Sequence, residues 1–327
     1  MRRAIGPLAI LVALVGLDVL LPRIANPYYF QVLMLIGINI VLAVSLNLVN
    51  GFTGQFSIGH AGFMAVGAYT SAMFTLKLGV KIVAALHGLP APVAQGVALL
   101  LALLSGGLLA AVAGYVVGLP SLRLRGDYLA IVTLGFGEII RVLILNIDAV
   151  GGARGLPGIP AYANFFWVFG SVAVVIIVVR NLAHSTHGRA FFAIRDDEVA
   201  AEALGVDTTR YKVLAFVLGA FFAGVAGGLF AHFLSYLNPS SFTFLKSIEV
   251  IAMVVLGGMG SISGSVIAAV VLTLLPEVLR PVKEFRMVIY SLMLIVLMIT
   301  RPQGLMGTRE LSLGRLFGRR RSPKLAQ

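Results

Sequence analysis

The side chains best placed to do chemistry lie in one charged segment, residues 195–205, which reads RDDEVAAEALG within an otherwise apolar chain. Asp196 or Asp197 is typical of a helix N-cap, and Gly205 favours the left-handed residue that ends a helix. The short helix predicted between them presents an apolar stripe rimmed by acidic side chains, formed by Val199, Ala203 and Leu204. This pattern predicts a helix that docks against a soluble partner, and it predicts no catalytic residue.

Charged side chains inside apolar runs form a second group, because an unpaired ionised group is costly there. Glu138 and Arg141 are three residues apart on a predicted helix, so they share one face and are predicted to form a structural ion pair. Glu249 lies near the end of its own apolar run, where its side chain can reach the membrane interface. The alternative is that Glu138 or Glu249 carries a coupling ion or proton.

Two glycine-rich segments, residues 51–72 and 255–270, place small residues at every third or fourth position. This spacing permits close helix approach and unwound turns, so we predict that both segments border a translocation path, with close packing as the alternative. A lone histidine such as His60 fits either interpretation, since a buried histidine is often held by a neighbouring hydrogen bond. The candidate path residues are Gln55, Ser57, His60, Gly257, Gly258 and Gly260.

Sequence motifs that mark enzymes are missing. The chain has no cysteine, no HExxH and no histidines at metal-ligand spacing, so neither a metal site nor a cofactor is predicted. It has no GxxxxGK[ST] segment, and GSISG at residues 260–264 lacks the central serine of a nucleophile elbow. If the chain performs active transport, its energy comes from a partner protein or from an ion gradient.

Composition places the chain in a lipid bilayer. A mean hydropathy of +1.00 with only 12% charged residues leaves too little polar surface for a soluble globule. The formal net charge of +12 comes from Lys and Arg between apolar runs and at the chain end, and no basic face with interleaved aromatics indicates a nucleic-acid partner. We therefore predict an all-α, polytopic membrane helical bundle with glycine-rich broken segments.

The apolar runs give the spans, and the positive charges give their orientation. Runs long enough to cross a bilayer lie near residues 5–21, 29–49, 57–76, 93–118, 128–147, 162–180 and 212–237, with further apolar stretches at 247–278 and 285–300. Positive charges near the first run, in the loop 181–211 and in the tail 307–327 predict that both termini and this loop are cytoplasmic.

Two cytoplasmic termini require an even number of crossings. About ten spans satisfy this condition if the stretch 247–278 crosses twice around its glycine break and 285–300 crosses once. Roughly eight spans with a re-entrant 247–278 segment are the alternative, because ten would place Arg280 and its basic neighbours outside. In both cases residues 1–306 form one membrane domain and residues 307–327 a basic cytoplasmic tail.

Five blocks in order along the chain carry a resemblance to a known family. The blocks are GQFSIGHAGFMAVGAYT at 54–70, RLRGDYLAIVTLGFGEIIR at 123–141, GRAFFAIRDDEVAAEALGV at 188–206, KVLAFVLGAFFAGVAGGL at 212–229 and VVLGGMGSISGSVIAAVVL at 254–272. Together they resemble the permease subunits of ATP-binding-cassette importers for branched-chain amino acids, the LivM type. The resemblance extends from about residue 30 to residue 306.

The resemblance implies a multi-pass permease in a bacterial or archaeal-type plasma (inner) membrane. Its implied partners are a sister permease subunit, two cytoplasmic P-loop ATPase subunits and an extracytoplasmic substrate-binding protein. It also implies that the loop 151–160, GGARGLPGIP, faces the binding protein, although a plain tight turn is an alternative. The residues that it assigns to the ATPase-coupling loop are Arg195, Asp197, Glu198, Ala200, Ala201, Glu202 and Gly205.

Three choices stay open on sequence alone. Either Glu198 or Glu202 takes the leading position of the coupling loop. The substrate is a branched-chain amino acid by resemblance, with urea or a short amide as the alternative. A stand-alone, ion-coupled secondary transporter is the remaining alternative, and it would need no ATPase.

Overall fold

The computed structural model describes residues 14–18, 20–21, 24, 26–86, 88, 90–122, 126–280, 292, 295–296, 299–300 and 304–307. Most of the predicted first span, most of the stretch 285–300 and nearly all of the basic tail lie outside the described residues.

The described part of the chain is almost entirely helical. The helices are α1 (Pro27–Asn47), α2 (His60–Phe74), α3 (Ala91–Ser121), α4 (Asp127–Asn146), α5 (Phe165–Ala183), α6 (Thr186–Asp196), α7 (Glu198–Ala203), α8 (Thr208–Leu234), α9 (Phe244–Gly257) and α10 (Ile262–Val278). Helix α1 continues as a π-helical turn at Leu48–Phe52, and α2 continues through a π-helical turn at Thr75–Gly79 into a short helix at Val80–Ala85. Two short antiparallel strands, β1 (Leu156–Pro157) and β2 (Tyr236–Leu237), form a clasp.

Six helical segments in the described residues are long and apolar enough to cross a membrane. They are Pro27–Phe52, His60–Ala85, Ala91–Ser121, Tyr128–Asn146, Phe165–Ala183 and Thr208–Leu234. These segments match the second to seventh apolar runs, so the chain is an all-α, multi-pass membrane protein as predicted.

The glycine break at 257–264 separates two antiparallel helices. Gly258 and Gly260 have φ values of 105° and 90°, which side-chain-bearing residues rarely adopt, and Ser261 caps α10 by accepting a hydrogen bond from Gly264 N. Helices α9 and α10 have 14 and 17 residues, so each is shorter than an ordinary span. The break therefore joins two helices, while the total of about ten spans stays a prediction.

Contacts between distant residues define two ends of the bundle. The loop end carries α6, α7 and residues 304–307, where Leu305 N donates to Leu256 O at 2.7 Å. The hairpin end carries the β1–β2 clasp, the Tyr28–Glu277 hydrogen bond and Asp18. Glu277 and Leu305 thus lie at opposite ends of the bundle.

Small residues set how closely the central helices approach. Gly67, Gly106 and Gly224 meet where α2, α3 and α8 cross, and a Cβ on Gly106 would lie 2.6 Å from Gly67 O. Close approach then yields van der Waals packing, which is the main source of helix association in a bilayer. Along the same seam Thr75 Oγ1 is 3.0 Å from His232 Nε2, so α2 and α8 run parallel.

We expect Gly67→Ala to lower the free energy of unfolding by about 1–3 kcal/mol or more, because its methyl group would overlap the backbone of Gly224. Gly170→Ala in α5 is the matched control, since a Cβ there meets no atom within 4 Å. Thermal unfolding of the two variants in detergent measures the difference. Equal midpoints would contradict this account of the helix crossing.

Candidate functional site

The charged segment forms the predicted short helix, α7, with a cap at each end. Asp197 is the N-cap, and its Oδ1 accepts hydrogen bonds from Val199 N at 2.9 Å and Ala200 N at 3.0 Å. Gly205 has φ of 86°, and Val206 N donates to the carbonyl oxygen of Ala201, which closes the helix. The structure thus selects Asp197 over Asp196 as the N-cap.

Both candidate glutamates of the coupling loop anchor α7 to the base of α8. Glu198 Oε1 lies 2.6 Å from Lys212 Nζ, and the Lys212 side chain is only 7% exposed. Glu202 Oε1 accepts a hydrogen bond from Thr208 Oγ1 at 2.7 Å. Ala201 is buried beneath the helix. The two glutamates share this anchoring role, so α7 and the start of α8 form one rigid unit.

The opposite face of α7 is apolar and open. Leu204 is 85% exposed and Val199 is 62% exposed, and Ala200 and Ala203 are exposed beside them. Large side chains of this kind cost free energy in water, and a contiguous exposed apolar surface indicates a site of association. We call this exposed apolar face, formed by Val199, Ala200, Ala203 and Leu204, the docking face, and its role in docking stays a prediction.

Arg195 lies near the end of α6, two residues before the N-cap of α7. A Cβ on Gly54 would lie 3.1 Å from Arg195 Cγ, and a Cβ on Gly260 would lie 3.1 Å from Arg195 Nη1, so the side chain packs on both glycines. Its guanidinium carbon is 5.1 Å from the centre of the Phe192 ring and its Nη2 is 3.0 Å from Asp196 Oδ1. Arg195 therefore touches both glycine-rich segments at once.

The two glycine-rich segments meet each other at the loop end. Gly260 N donates to Asn47 Oδ1 at 2.8 Å, and Asn47 Nδ2 donates to the carbonyl oxygen of Ser261 at 3.0 Å. A Cβ on Gly51 would overlap Gly260 N, so the two backbones are in direct contact. Gly257 is packed against the backbone of α10 in the same way.

The remaining path candidates, Gln55, Ser57 and His60, are buried. His60 Nε2 is 2.9 Å from Ser45 Oγ, and Ser57 N is 3.3 Å from Asn50 Oδ1. Gln55 is 5% exposed, and neither of its carboxamide atoms has a hydrogen-bond partner in the described part of the chain. These residues lie in packed protein, so their role in a path stays a prediction.

The sequence analysis did not predict the polar residues of α1 that hydrogen-bond to the two glycine-rich segments. Ser45 and Asn47 are polar residues inside the apolar run of α1, and a polar side chain at such a position signals a hydrogen-bonding role. The same signal marks Asn39, whose side chain bonds to Thr273 and to Lys246 Nζ. Lys212 carried a weaker signal, because a lysine at the start of a span is also explained by membrane topology.

The predicted ion pair on α4 is present. Arg141 Nε lies 2.7 Å from Glu138 Oε2, and the side chains are 27% and 29% exposed. Glu138 Oε1 also accepts a hydrogen bond from Phe244 N at 3.2 Å, so it caps the start of α9. Glu249 pairs with Lys246 at 3.1 Å, and whether its side chain also reaches the membrane interface stays a prediction.

The described residues contain no group of three His, Cys, Asp or Glu side chains that could hold a metal ion. A cleft of about 520 Å³ lies between α6 and the start of α8, lined by Arg189, Gly205, Arg210 and Tyr211 among others. It opens at the loop end beside α7.

Comparison with known proteins gives consistent matches. The sequence model of a family described as branched-chain amino acid transport system / permease component matches residues 28–300. The high-affinity branched-chain amino acid transport system permease protein LivM of Escherichia coli K12 is 38% identical over 331 residues, covering 90% of this chain and 74% of that protein. The corresponding LivH protein of that strain is 28% identical over 305 residues, covering 83% and 91%.

A more distant relative is the probable branched-chain amino acid transport permease protein LivM of Methanocaldococcus jannaschii. It is 26% identical over 262 residues, covering 72% of this chain and 76% of that protein. No solved structure matches this chain significantly.

The geometry of Gly205 yields a stability prediction for α7. Gly205→Val should destabilise the left-handed end of the helix by about 1–3 kcal/mol, because its φ of 86° is unfavourable for a β-branched residue. Gly205→Asn is the control, since asparagine tolerates this conformation. We expect limited proteolysis between α6 and α8 to be faster in the valine variant only. Equal cleavage of both variants would show that the left-handed turn does not hold the loop.

Proposed function

This chain belongs to the family of branched-chain amino acid transport system permease components, and on that premise we propose that it is a membrane-spanning subunit of an ATP-binding-cassette importer. Its proposed cargo is a branched-chain amino acid, as in the names of its relatives. Urea and short amides are the alternative cargo. The energy comes from separate ATPase subunits, and substrate arrives on an extracytoplasmic binding protein.

The exposed apolar face of α7 is the observation that carries the proposal. Leu204 and Val199 project from a helix that is capped by Asp197 and anchored to α8 by Glu198 and Glu202. A rigid helix with an apolar face and an acidic rim suits a groove on a soluble partner. In an importer, the partner is one of the two P-loop ATPases. The loop end then faces the cytoplasm, and both chain termini lie on that side.

The exposed face of α4 supports a second membrane subunit. Only 22% of the most apolar 18-residue stretch of α4 is buried in this chain. The same helix carries the partly exposed Glu138–Arg141 pair. Charged groups inside a span avoid lipid and face protein or a water-filled path. A sister permease covering α4 meets this requirement, with a path between the two subunits. Similarity to both LivM and LivH of one organism supports a pair of unlike permeases.

The hairpin end offers a rigid surface for the binding protein. The loop between α4 and α5 is held by the β1–β2 clasp, and Tyr236 Oη donates to the carbonyl oxygen of Arg154 at 2.9 Å. Gly151 and Gly155 have φ values of 90° and 79°, so the turn geometry depends on glycine. A shaped and well-held loop is suited to contact with a second protein. The glycine-proline loop 151–160 therefore keeps its proposed outer role.

The mechanism is alternating access driven from the loop end. When ATP closes the two ATPases, α7 moves with its groove, and the two permeases rock so that the path opens toward the binding protein. Return of the ATPases releases substrate inward. The aqueous path and its gates require relative motion of packed helices, because the path candidates Gln55, Ser57 and His60 are buried in the state described here.

Replacing the apolar centre of the docking face tests the proposal. We expect Leu204→Asp to reduce co-purified ATPase and ATP-driven uptake at least about tenfold, because a buried charge without a partner weakens an interface strongly. The assay is purification of the tagged chain from its native membrane followed by uptake in proteoliposomes with the binding protein.

Thr186→Asp is the matched control. It adds the same charge at the start of α6, on the same end of the molecule, where a helix N-terminus favours an acidic residue. Normal ATPase recovery and uptake in the Leu204 variant would contradict the docking helix. Uptake that follows the proton gradient and ignores ATP would favour an ion-coupled carrier.

A further inference from the structure

We propose that Arg195 is the positioning residue that transmits movement of α7 to the contact between the two glycine-rich segments. This inference rests on the proposed importer function, and it deepens the coupling-loop role that the resemblance implies for Arg195 by naming the contact that receives the movement of α7. We call the contact the glycine junction, formed by Gly51, Gly54, Gly258 and Gly260.

The glycine junction brings backbone against backbone at the loop end of the bundle. Gly51 and Gly260 touch without side chains between them, and Asn47 bridges the contact with two hydrogen bonds of 2.8 and 3.0 Å. The backbone of Gly304 also packs against the backbone of Gly258. The junction therefore ties the end of α1, the turn between α9 and α10, and the returning end of the chain. Any inward opening at this end must separate these segments.

Arg195 is the side chain through which α6 touches both sides of the junction. Its Cγ packs on Gly54 and its Nη1 lies beside Gly260. Phe192, one turn earlier on α6, stacks on the guanidinium and also lies 5.4 Å from the Phe52 ring at the end of α1. The contact thus has a polar part, made by the Arg195 guanidinium, and an apolar part, made by the Phe192 ring. Both side chains belong to α6 and move with it.

The connection from Arg195 to the docking face is short. Asp197, two residues later, is the N-cap of α7, so a displacement of α7 reaches Arg195 through one residue. On its inner face α6 is held by Phe191 and Ile194, which are fully or almost fully buried. The helix therefore moves as a body, with Arg195 at its contact with the junction.

Gln55 gives independent support for a second arrangement of this region. Its carboxamide is buried beside Gly54 without a hydrogen-bond partner in the described residues, and burying such a group without a partner is unfavourable. Groups of this kind are rare in native proteins and often mark a strained or functional element. Opening of the glycine junction would let this carboxamide form hydrogen bonds.

Arg195→Met tests the transmission, because it keeps a long apolar side chain and removes the guanidinium. In proteoliposomes containing the assembled complex, substrate uptake is measured per ATP hydrolysed, so that a change in ATPase content or in hydrolysis rate does not enter the ratio. Substrate moved per ATP should fall about 5-fold or more, the size of a typical coupling between sites. Asp196→Asn is the control, since it removes the ion pair at 3.0 Å but leaves the junction contacts of Arg195.

A double cysteine variant keeps the test decisive if the methionine variant assembles poorly. The natural chain has no cysteine, and a Cβ on Gly54 would lie 3.5 Å from Arg195 Cβ, within the range of about 3.5–4.5 Å that a disulfide requires. In Gly54→Cys/Arg195→Cys, we expect poor coupling when reduced and recovery on oxidation, because the bond replaces the lost contact. Gly54→Cys alone controls for strain at its φ of 68°.

The outcomes separate this inference from the importer function. A wild-type ratio of substrate to ATP in Arg195→Met would overturn the inference while leaving the importer intact. A ratio that oxidation does not raise, or transport that stops on oxidation, would overturn it as well. If no ATPase co-purifies with the wild-type chain, both the proposed function and this inference are contradicted.

Discussion

A backbone N–H or C=O group without a partner costs several kcal/mol inside a bilayer, and this constraint shapes the chain wherever a helix is interrupted. Three connections between helices are examples, those before α2, before α9 and between α9 and α10. In each, one backbone N–H donates to a polar side chain from a distant helix. Thr133 accepts from Ile58 N, Glu138 accepts from Phe244 N, and Asn47 accepts from Gly260 N. A continuous helix would not need these side-chain partners, whereas a broken helix does. Broken helices are typical of transport paths.

Close packing of small residues is the second requirement, and it explains why so many glycines serve structure. Gly67, Gly106 and Gly224 bring three helices together, whereas Gly51, Gly54 and Gly260 bring the breaks together. The first group fixes the frame. The second group forms a contact with few side chains, which is easier to separate. The rigid unit of α7 and the base of α8 stands beside this contact, so the docking face and the proposed gate are neighbours.

The sequence predicted the parts of the structure that depend on local pattern. The lengths of the apolar runs predicted the six long spans. Capping residues predicted both ends of α7, including Gly205 at its C-terminal end. Helical spacing gave the Glu138–Arg141 pair. The meeting of the two glycine-rich segments was not predictable, because it joins Asn47 to residues 260–261 across more than two hundred positions of the chain. Arg195 likewise looked like one more charge of an exposed loop.

The most direct test of the central claim is purification of this chain from its native membrane in mild detergent, with mass spectrometry and an ATPase assay of the recovered complex. The account predicts a second permease and P-loop ATPases in the complex, together with ATP hydrolysis. Recovery of the chain alone, without ATP hydrolysis and with uptake that collapses when the proton gradient is removed, would contradict it.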